Sequence, residues 1–423
     1  MAEALESRLR TILSGRRLRY AWIVGAVLWL AWLGSIALGR GDLDLTGTVV
    51  GADYLQFYAA GDTLRLGQSA RLYDMAFQSA LQQRLIGPGL HSYYAFITPP
   101  FLAAVFVPLS ALPYRLSFAV WSVLGLAGVW LSLRWLDADH PRAALCWALT
   151  WFPIFASVSY GQNSLLSLTL CCLTYRLWRQ RRLWAAGLVC SALMYKPQLV
   201  LGMALLWLLQ WRRDWRALAG LTMGSAALAA LCFGRWPEAS QAYLKFALTV
   251  LPDLPAWKQF PLWHLHTVRG FWRLLLPGKS ALADVMTVLC SVAGVLAFLR
   301  LWKRMRRHAA LLFAAAIALT LWLTPHAMIY DWSLLLIPAV LLWQELPGLR
   351  VRWQLLFAAV WLATLVGSSL TAAQLHSLPV SVQVTVPVLG LVLFLAQVWI
   401  TQGVPPDSHR PDLDNVIRHR VGD

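Results

Sequence analysis

Five places in this 423-residue chain put polar side chains where they could do chemistry. The first is Asp53, in G-A-D-Y-L-Q-F-Y, just after the first long apolar run. A carboxylate there can take a proton from an attacking hydroxyl, provided its loop folds back and leaves it partly desolvated. Asp53 is nevertheless one of five aspartates, with Asp42, Asp44, Asp62 and Asp74, in the polar stretch that follows that run. The second place is Gln162 with Asn163, behind Gly161 and between two apolar halves. An amide pair can bind sugar hydroxyls, and it can equally cap a helix or join two spans. The third is Lys196, flanked by Tyr195 and Pro197 inside an apolar stretch. A charge there is expensive and points to function by default, with snorkelling to the interface as the plainer account.

The fourth place is the stretch 234–280, where Arg235, Lys245, Lys258, Arg269, Arg273 and Lys279 stand against Glu238 and Asp253. Its segment W-H-L-H-T-V-R-G adds His264 and His266 beside Arg269, donors suited to an anionic lipid phosphate, although His-x-His also occurs in ordinary loops. Trp236, Trp257, Trp263 and Trp272 suggest that this stretch lies along a membrane surface. The fifth is T-P-H-A-M-I-Y-D-W, with His326, Tyr330 and Asp331. The four-residue spacing puts His326 and Tyr330 on one face if the turn is helical, and Asp331 also fits the N-cap of a following helix.

The elements that must hold these residues are membrane spans. Hydrophobic residues make up 59% of the chain and charged ones only 13%, against about 45–50% and 25% in soluble domains. The net charge of +17 gathers in short clusters between apolar runs, at Arg8 to Arg19, 176–182, 212–216 and 300–307. That is the positive-inside pattern of a polytopic membrane protein, and it excludes nucleic acid as a partner. The 24 tryptophans suit the two membrane boundaries. The six cysteines lie in or beside apolar runs without metal-ligand spacing and no acidic metal cluster is defined, so no metal and no cofactor are expected, although Asp42 and Asp44 could contribute ligands to a divalent cation. Walker A, G-x-G-x-x-G, H-E-x-x-H and G-x-S-x-G motifs are missing, which removes support for ATP-driven pumping and the common hydrolytic mechanisms.

Counting apolar runs gives an all-α polytopic protein with about twelve transmembrane helices. A segment 1–19 stays in the cytoplasm, 20–400 forms the transmembrane domain, and 401–423 is a cytoplasmic tail. The first span, near 20–39, reads as an uncleaved anchor, being longer than a signal-peptide core. Two large outer loops, about 40–97 and 234–280, interrupt the series, and 183–211 reads as a hairpin broken at Lys196 and Pro197. Prolines leave the stretch 97–178 open between one crossing followed by two and the reverse.

The motifs together resemble glycosyltransferase family 87. The match runs through D-Y-L-Q-F-Y-A-A-G-D-T-L-R-L-G-Q-S-A-R-L-Y-D, Y-Y-A-F-I-T-P-P-F-L-A-A-V-F-V-P-L-S-A-L-P and Y-G-Q-N-S-L-L-S-L. It continues through A-A-G-L-V-C-S-A-L-M-Y-K-P-Q-L, H-L-H-T-V-R-G-F and P-H-A-M-I-Y-D-W-S-L-L-L, so that it covers about residues 20 to 400. The resemblance implies a GT-C fold and transfer of a sugar, mannose by analogy, from a polyprenyl-phosphate donor to a lipid- or glycan-linked acceptor. It implies the outer face of the inner membrane as the site of action, with inversion at the sugar. It makes Asp53 the catalytic aspartate and Lys196, Arg269 and His326 the groups around the donor phosphate, leaving Gln162, Asn163, His266, Tyr330 and Asp331 to bind substrate. The segment H-L-H-T departs from the family pattern, which often carries an amide there, and that bears on the acceptor contacts. Rival readings are a secondary transporter, which would show repeated halves, and a flippase or polymerase of lipid-linked glycans.

Overall fold

The computed structural model describes residues 15–251 and 260–403. Most of the basic N-terminal segment, the tail beyond 403, and Asp253, Trp257 and Lys258 of the second loop lie outside the described residues. The chain is helical throughout, with only isolated β-bridges among the described residues.

Helix α1 (Gly15–Leu38) is the first apolar run, and a polar excursion carrying α2 (Tyr54–Arg65) and α3 (Met75–Ile86) follows it. Next come α4 (Pro100–Ser110), α5 (Tyr114–Trp135), and α6 (Pro141–Thr150) with α7 (Phe152–Tyr160), a pair bent by 71°. The middle of the chain holds α8 (Ser164–Arg179), α9 (Leu183–Ser191), α10 (Leu201–Leu209) and α11 (Trp211–Arg235). A second excursion contains α12 (Pro237–Thr249) and α13 (Val268–Leu275). The chain then runs through α14 (Ser280–Arg304), α15 (Ala309–Leu323), α16 (Leu336–Glu345), α17 (Arg350–Ser377) and α18 (Thr385–Gly403).

Local chemistry sets many of these boundaries. Pro100, Pro141, Pro153 and Pro237 each stand in a first turn, where a missing N–H costs nothing. Asp74 caps α3 by accepting from the Phe77 amide at 3.0 Å, and Thr267 caps α13 by accepting from Gly270 at 2.9 Å. Gly161 closes α7 in the left-handed region, with φ of 70°.

Among the described residues, six helices are long and apolar enough to cross a membrane, or seven if the bent α6–α7 pair counts as one span. The α4 helix, at 11 residues, is too short to cross. The stretch 97–136 therefore holds one long apolar helix, with the bent pair and α8 after it. The break at Lys196 lies where the hairpin reading puts it, between two short 3₁₀ turns, Ala192–Tyr195 and Pro197–Val200. The run expected near 332–346 opens as a 3₁₀ helix, Ile329–Leu335, before α16.

One end of the bundle gathers the basic clusters. Arg176 meets Asp137 at 3.9 Å, Arg179 meets Glu345 at 4.0 Å, Arg350 meets Asp139 at 3.1 Å and Arg181 meets Asp214 at 3.1 Å. At the other end the two excursions pack together, Tyr73 facing Tyr243 at 5.6 Å and Phe246 at 5.9 Å between ring centroids. A large apolar core runs through the bundle, and a second, aromatic one joins Tyr54, Phe57, Phe96, Phe106 and Phe118 beneath the first excursion.

Candidate functional site

Asp53 stands at the N-cap of α2, yet its side chain makes no capping bond. Its Oδ2 instead accepts from Gln162 Nε2 at 2.8 Å, and Oδ1 has no hydrogen-bond partner among the described residues. Gly161 makes this approach possible, because a Cβ in its place would lie 2.5 Å from Tyr54 Cβ. Burial raises the Asp53 carboxyl to about 6, against the Gln162 hydrogen bond and the Lys196 charge, while the Asp331 charge adds to the rise. Such a group is ionised at neutral pH and still basic enough to accept a proton. The other four aspartates of the first excursion are engaged differently. Asp42 meets Arg115 at 3.7 Å, Asp44 closes its own turn onto Thr46 and Thr48, Asp62 pairs with Arg65 and Asp74 caps α3.

Lys196 and Asp331 form the second half of the cluster. Lys196 Nζ donates to Asp331 Oδ1 at 2.7 Å, and the side chains are 13% and 3% exposed, so this is a buried pair. Ser164 donates to the same oxygen at 2.7 Å, and the Met328 amide donates to Asp331 Oδ2 at 3.1 Å. Lys196 also stands 5.5 Å from the centre of the Tyr330 ring and 3.5 Å from Ser164 Oγ. Its three N–H bonds are thus not exhausted by Asp331. Tyr94, Tyr160 and Tyr330 lie within electrostatic reach of Asp53, and Tyr160 packs edge-on to Tyr330 at 6.3 Å.

Two segments far apart in sequence meet beside this cluster. Leu265 and Met328 form an isolated antiparallel bridge, and the His266 amide donates to Ala327 O at 2.8 Å. His326 precedes the 3₁₀ turn that carries Tyr330, so the two do not share a helical face. Burial lowers the His326 pKa and leaves the ring neutral, and its nitrogens have no hydrogen-bond partner among the described residues.

A family model for glycosyltransferase family 87 matches residues 96–325. The chain belongs to this family. It is therefore a glycosyltransferase, and its long apolar helices make it a multi-pass membrane one. No curated protein and no solved structure matches it.

Within the stretch matched to family 87 lie Gln162, Asn163, Lys196, His266 and Arg269, while Asp53 precedes it and His326, Tyr330 and Asp331 follow it. The fold brings Asp53, Gln162, Lys196, Tyr330 and Asp331 together, with His326 at their edge through the charges of Lys196 and Asp331. Asn163 is buried beside them, both ends of its side-chain amide without a partner among the described residues. His266 is placed otherwise. Its Nδ1 meets Thr385 Oγ1 at 2.7 Å and its Nε2 meets Ser368 Oγ at 2.8 Å, so both ring nitrogens are engaged within the fold. Its neighbour His264 is lowered to about 4 by burial and is neutral. Arg269 is half-buried at the start of α13 and makes no ion pair with a described residue. Arg273, another cation of the basic stretch, is bound to Asp284 at 2.8 Å.

Sequence reasoning missed Ser164, which bonds Asp331 and lies near Lys196, and Tyr94 and Tyr160, which flank Asp53. Ser164 directly follows Gln162 and Asn163 in the same motif, so the signal was adjacency; a hydroxyl there otherwise looks like an ordinary helix start.

Proposed function

We propose that this family 87 glycosyltransferase moves a sugar, most simply mannose, from a polyprenyl-phosphate donor to a hydroxyl of a lipid- or glycan-linked acceptor. Transfer takes place at the outer face of the inner membrane. The observation that carries this reading is the half-buried Asp53, held by Gln162 with one oxygen free and facing the Lys196–Asp331 pair.

A sugar on a lipid phosphate has a leaving group that is already a stable anion, so no general acid is needed. Asp53 takes the proton of the acceptor hydroxyl as its oxygen bonds to the anomeric carbon. The bond from that carbon to the phosphate oxygen breaks in the same in-line displacement, and the anomeric centre inverts. Positive charge near the departing phosphate stabilises this change. Lys196 supplies it with an N–H not used by Asp331, Arg269 adds a second cation, and His326 contributes a neutral N–H donor. Gln162 fixes the base, and Asn163 offers its free amide to the sugar. His266, tied to Thr385 and Ser368, braces the segment that leads into Arg269.

In this account the chain crosses twelve times. The six long helices, the α6–α7 pair, α8, the two arms of the hairpin at Lys196, α15, and the 3₁₀ run with α16 supply the crossings. An even number puts both termini in the cytoplasm with the basic clusters, and it leaves Asp53 on the outer side.

The test is transfer by the purified protein in lipid nanodiscs, offered radiolabelled mannose on polyprenyl phosphate or on a nucleotide. Labelled glycolipid of inverted configuration from the lipid donor alone is expected. Transfer from the nucleotide sugar but not from the lipid donor would overturn the reading.

A further inference from the structure

Away from the sugar-transfer site, the basic end of the bundle contains an open cleft of about 460 Å³. The turn from α10 to α11 forms one wall with Leu209, Gln210, Trp211, Arg212 and Arg213, and the end of α14 forms the other with Trp302 and Arg306. We propose that this cleft binds the phosphate headgroup of an anionic membrane phospholipid, independently of the transfer reaction.

Three features lead there. The first is charge without compensation. Three arginines line the cleft and no carboxylate does. Asp214, the nearest acid in sequence, is already held by Arg181 at 3.1 Å and by Trp178 Nε1 at 3.0 Å. Arg213 reaches it at 3.8 Å, whereas Arg212 and Arg306 have no ion pair among the described residues.

The second feature is the way those two guanidinium groups are held. Arg306 lies over the Trp302 ring at 4.4 Å and Arg212 over the Trp211 ring at 6.0 Å. Stacking occupies the face of a guanidinium and leaves its edge N–H bonds free for a phosphate. Trp302 is thus both part of the cleft wall and the platform for Arg306.

The third feature is depth. Trp211 begins one long apolar helix and Trp302 stands near the end of another, so the cleft opens where two spans leave the hydrocarbon. Tryptophan and arginine at that level meet phospholipid headgroups, and Leu209 continues into the apolar zone where acyl chains lie. The orientation rule accounts for arginines at this end of the bundle. It does not account for a concave wall and two guanidiniums set over tryptophan rings in one place.

The chemistry recognised is a phosphate anion, which a lipid or a soluble phosphate could present, and the test separates the two. Thermal unfolding of the full-length protein in detergent micelles is followed with added phosphatidylglycerol, phosphatidylcholine or inorganic phosphate. With phosphatidylglycerol the midpoint should rise roughly with the logarithm of its mole fraction, as for a ligand bound only by the folded state. Phosphatidylcholine and inorganic phosphate should leave it near its starting value. Arg212→Gln/Arg306→Gln, at two exposed positions without ion pairs, should fold with the wild-type midpoint and lose at least half of the rise. Native mass spectrometry of the same samples should show fewer retained phosphatidylglycerol molecules on the variant. An undiminished rise in the variant, or an equal one with phosphatidylcholine, would overturn the proposal. A rise with inorganic phosphate alone would also overturn it, by making this a soluble-anion site.

Discussion

Asp53 differs from the other four aspartates of its excursion in what surrounds its carboxylate, and that difference has kinetic consequences. A carboxyl raised to about 6 is protonated below that value and, as the proposed base, free to accept a proton above it. The pH profile of kcat/KM should therefore climb between pH 5 and 7 with a midpoint near 6, then level off. The Gln162 hydrogen bond lowers the Asp53 pKa, so Gln162→Leu should move the midpoint to higher pH as well as slow turnover. An unmoved midpoint would mean that another group sets the profile. The Lys196–Asp331 pair makes a separate claim on stability. Removing one member leaves the other charge buried, at a cost of about 3–5 kcal/mol. Lys196→Met and Asp331→Asn should each destabilise the protein, while the double variant should cost clearly less than the two together; additive costs in denaturant unfolding would contradict the pairing. The motif singled out Asp53 as a candidate, whereas nothing singled out Ser164, because its contact is with Asp331, 167 positions away. Both nitrogens of His266 go to hydroxyls more than 100 positions off, and no local pattern announces that.

Helices α9 and α11 hold the hairpin that presents Lys196. They meet through Gly187 and Gly220, where a Cβ on Gly220 would lie 2.5 Å from Trp184 O. Without a hydrophobic force between lipid-facing helices, such backbone approach provides much of the adhesion. Gly220→Leu should destabilise by about 3 kcal/mol or more, the upper end of overpacking penalties, because the neighbour is backbone and cannot yield. A thermal midpoint in detergent within a degree of wild type would refute this contact. Hydropathy made the long helices readable, since a run of about 20 apolar residues has few other uses. The bend between α6 and α7 and the 3₁₀ entry to α16 were less readable. Prolines signal an interruption, but not the 71° bend, which falls at Trp151, where the backbone is extended with ψ of 122°.

Over the molecule as a whole, charge pattern and motif order led to a family 87 membrane glycosyltransferase, and the family match agrees. The basic clusters at one end and the Asp53 cluster at the other predict opposite labelling by a membrane-impermeant maleimide. In a background with the exposed Cys146 changed to Ser, Gln68→Cys should react from outside intact cells, and His140→Cys only after permeabilisation. The reverse pattern would place the site in the cytoplasm and exclude the proposed donor arrangement.

The central claim is that Asp53 accepts the acceptor proton during transfer from a polyprenyl-phosphate sugar. It is tested most directly by comparing wild type with Asp53→Asn, which keeps the shape and a partner for Gln162, in a radiolabelled transfer assay from that donor. Proton acceptance by a placed side chain is worth about 10² to 10⁴ in rate. The account predicts that the variant loses transfer by about that factor while its thermal midpoint and donor binding stay near wild type. Transfer at the wild-type rate by a correctly folded Asp53→Asn protein would contradict it.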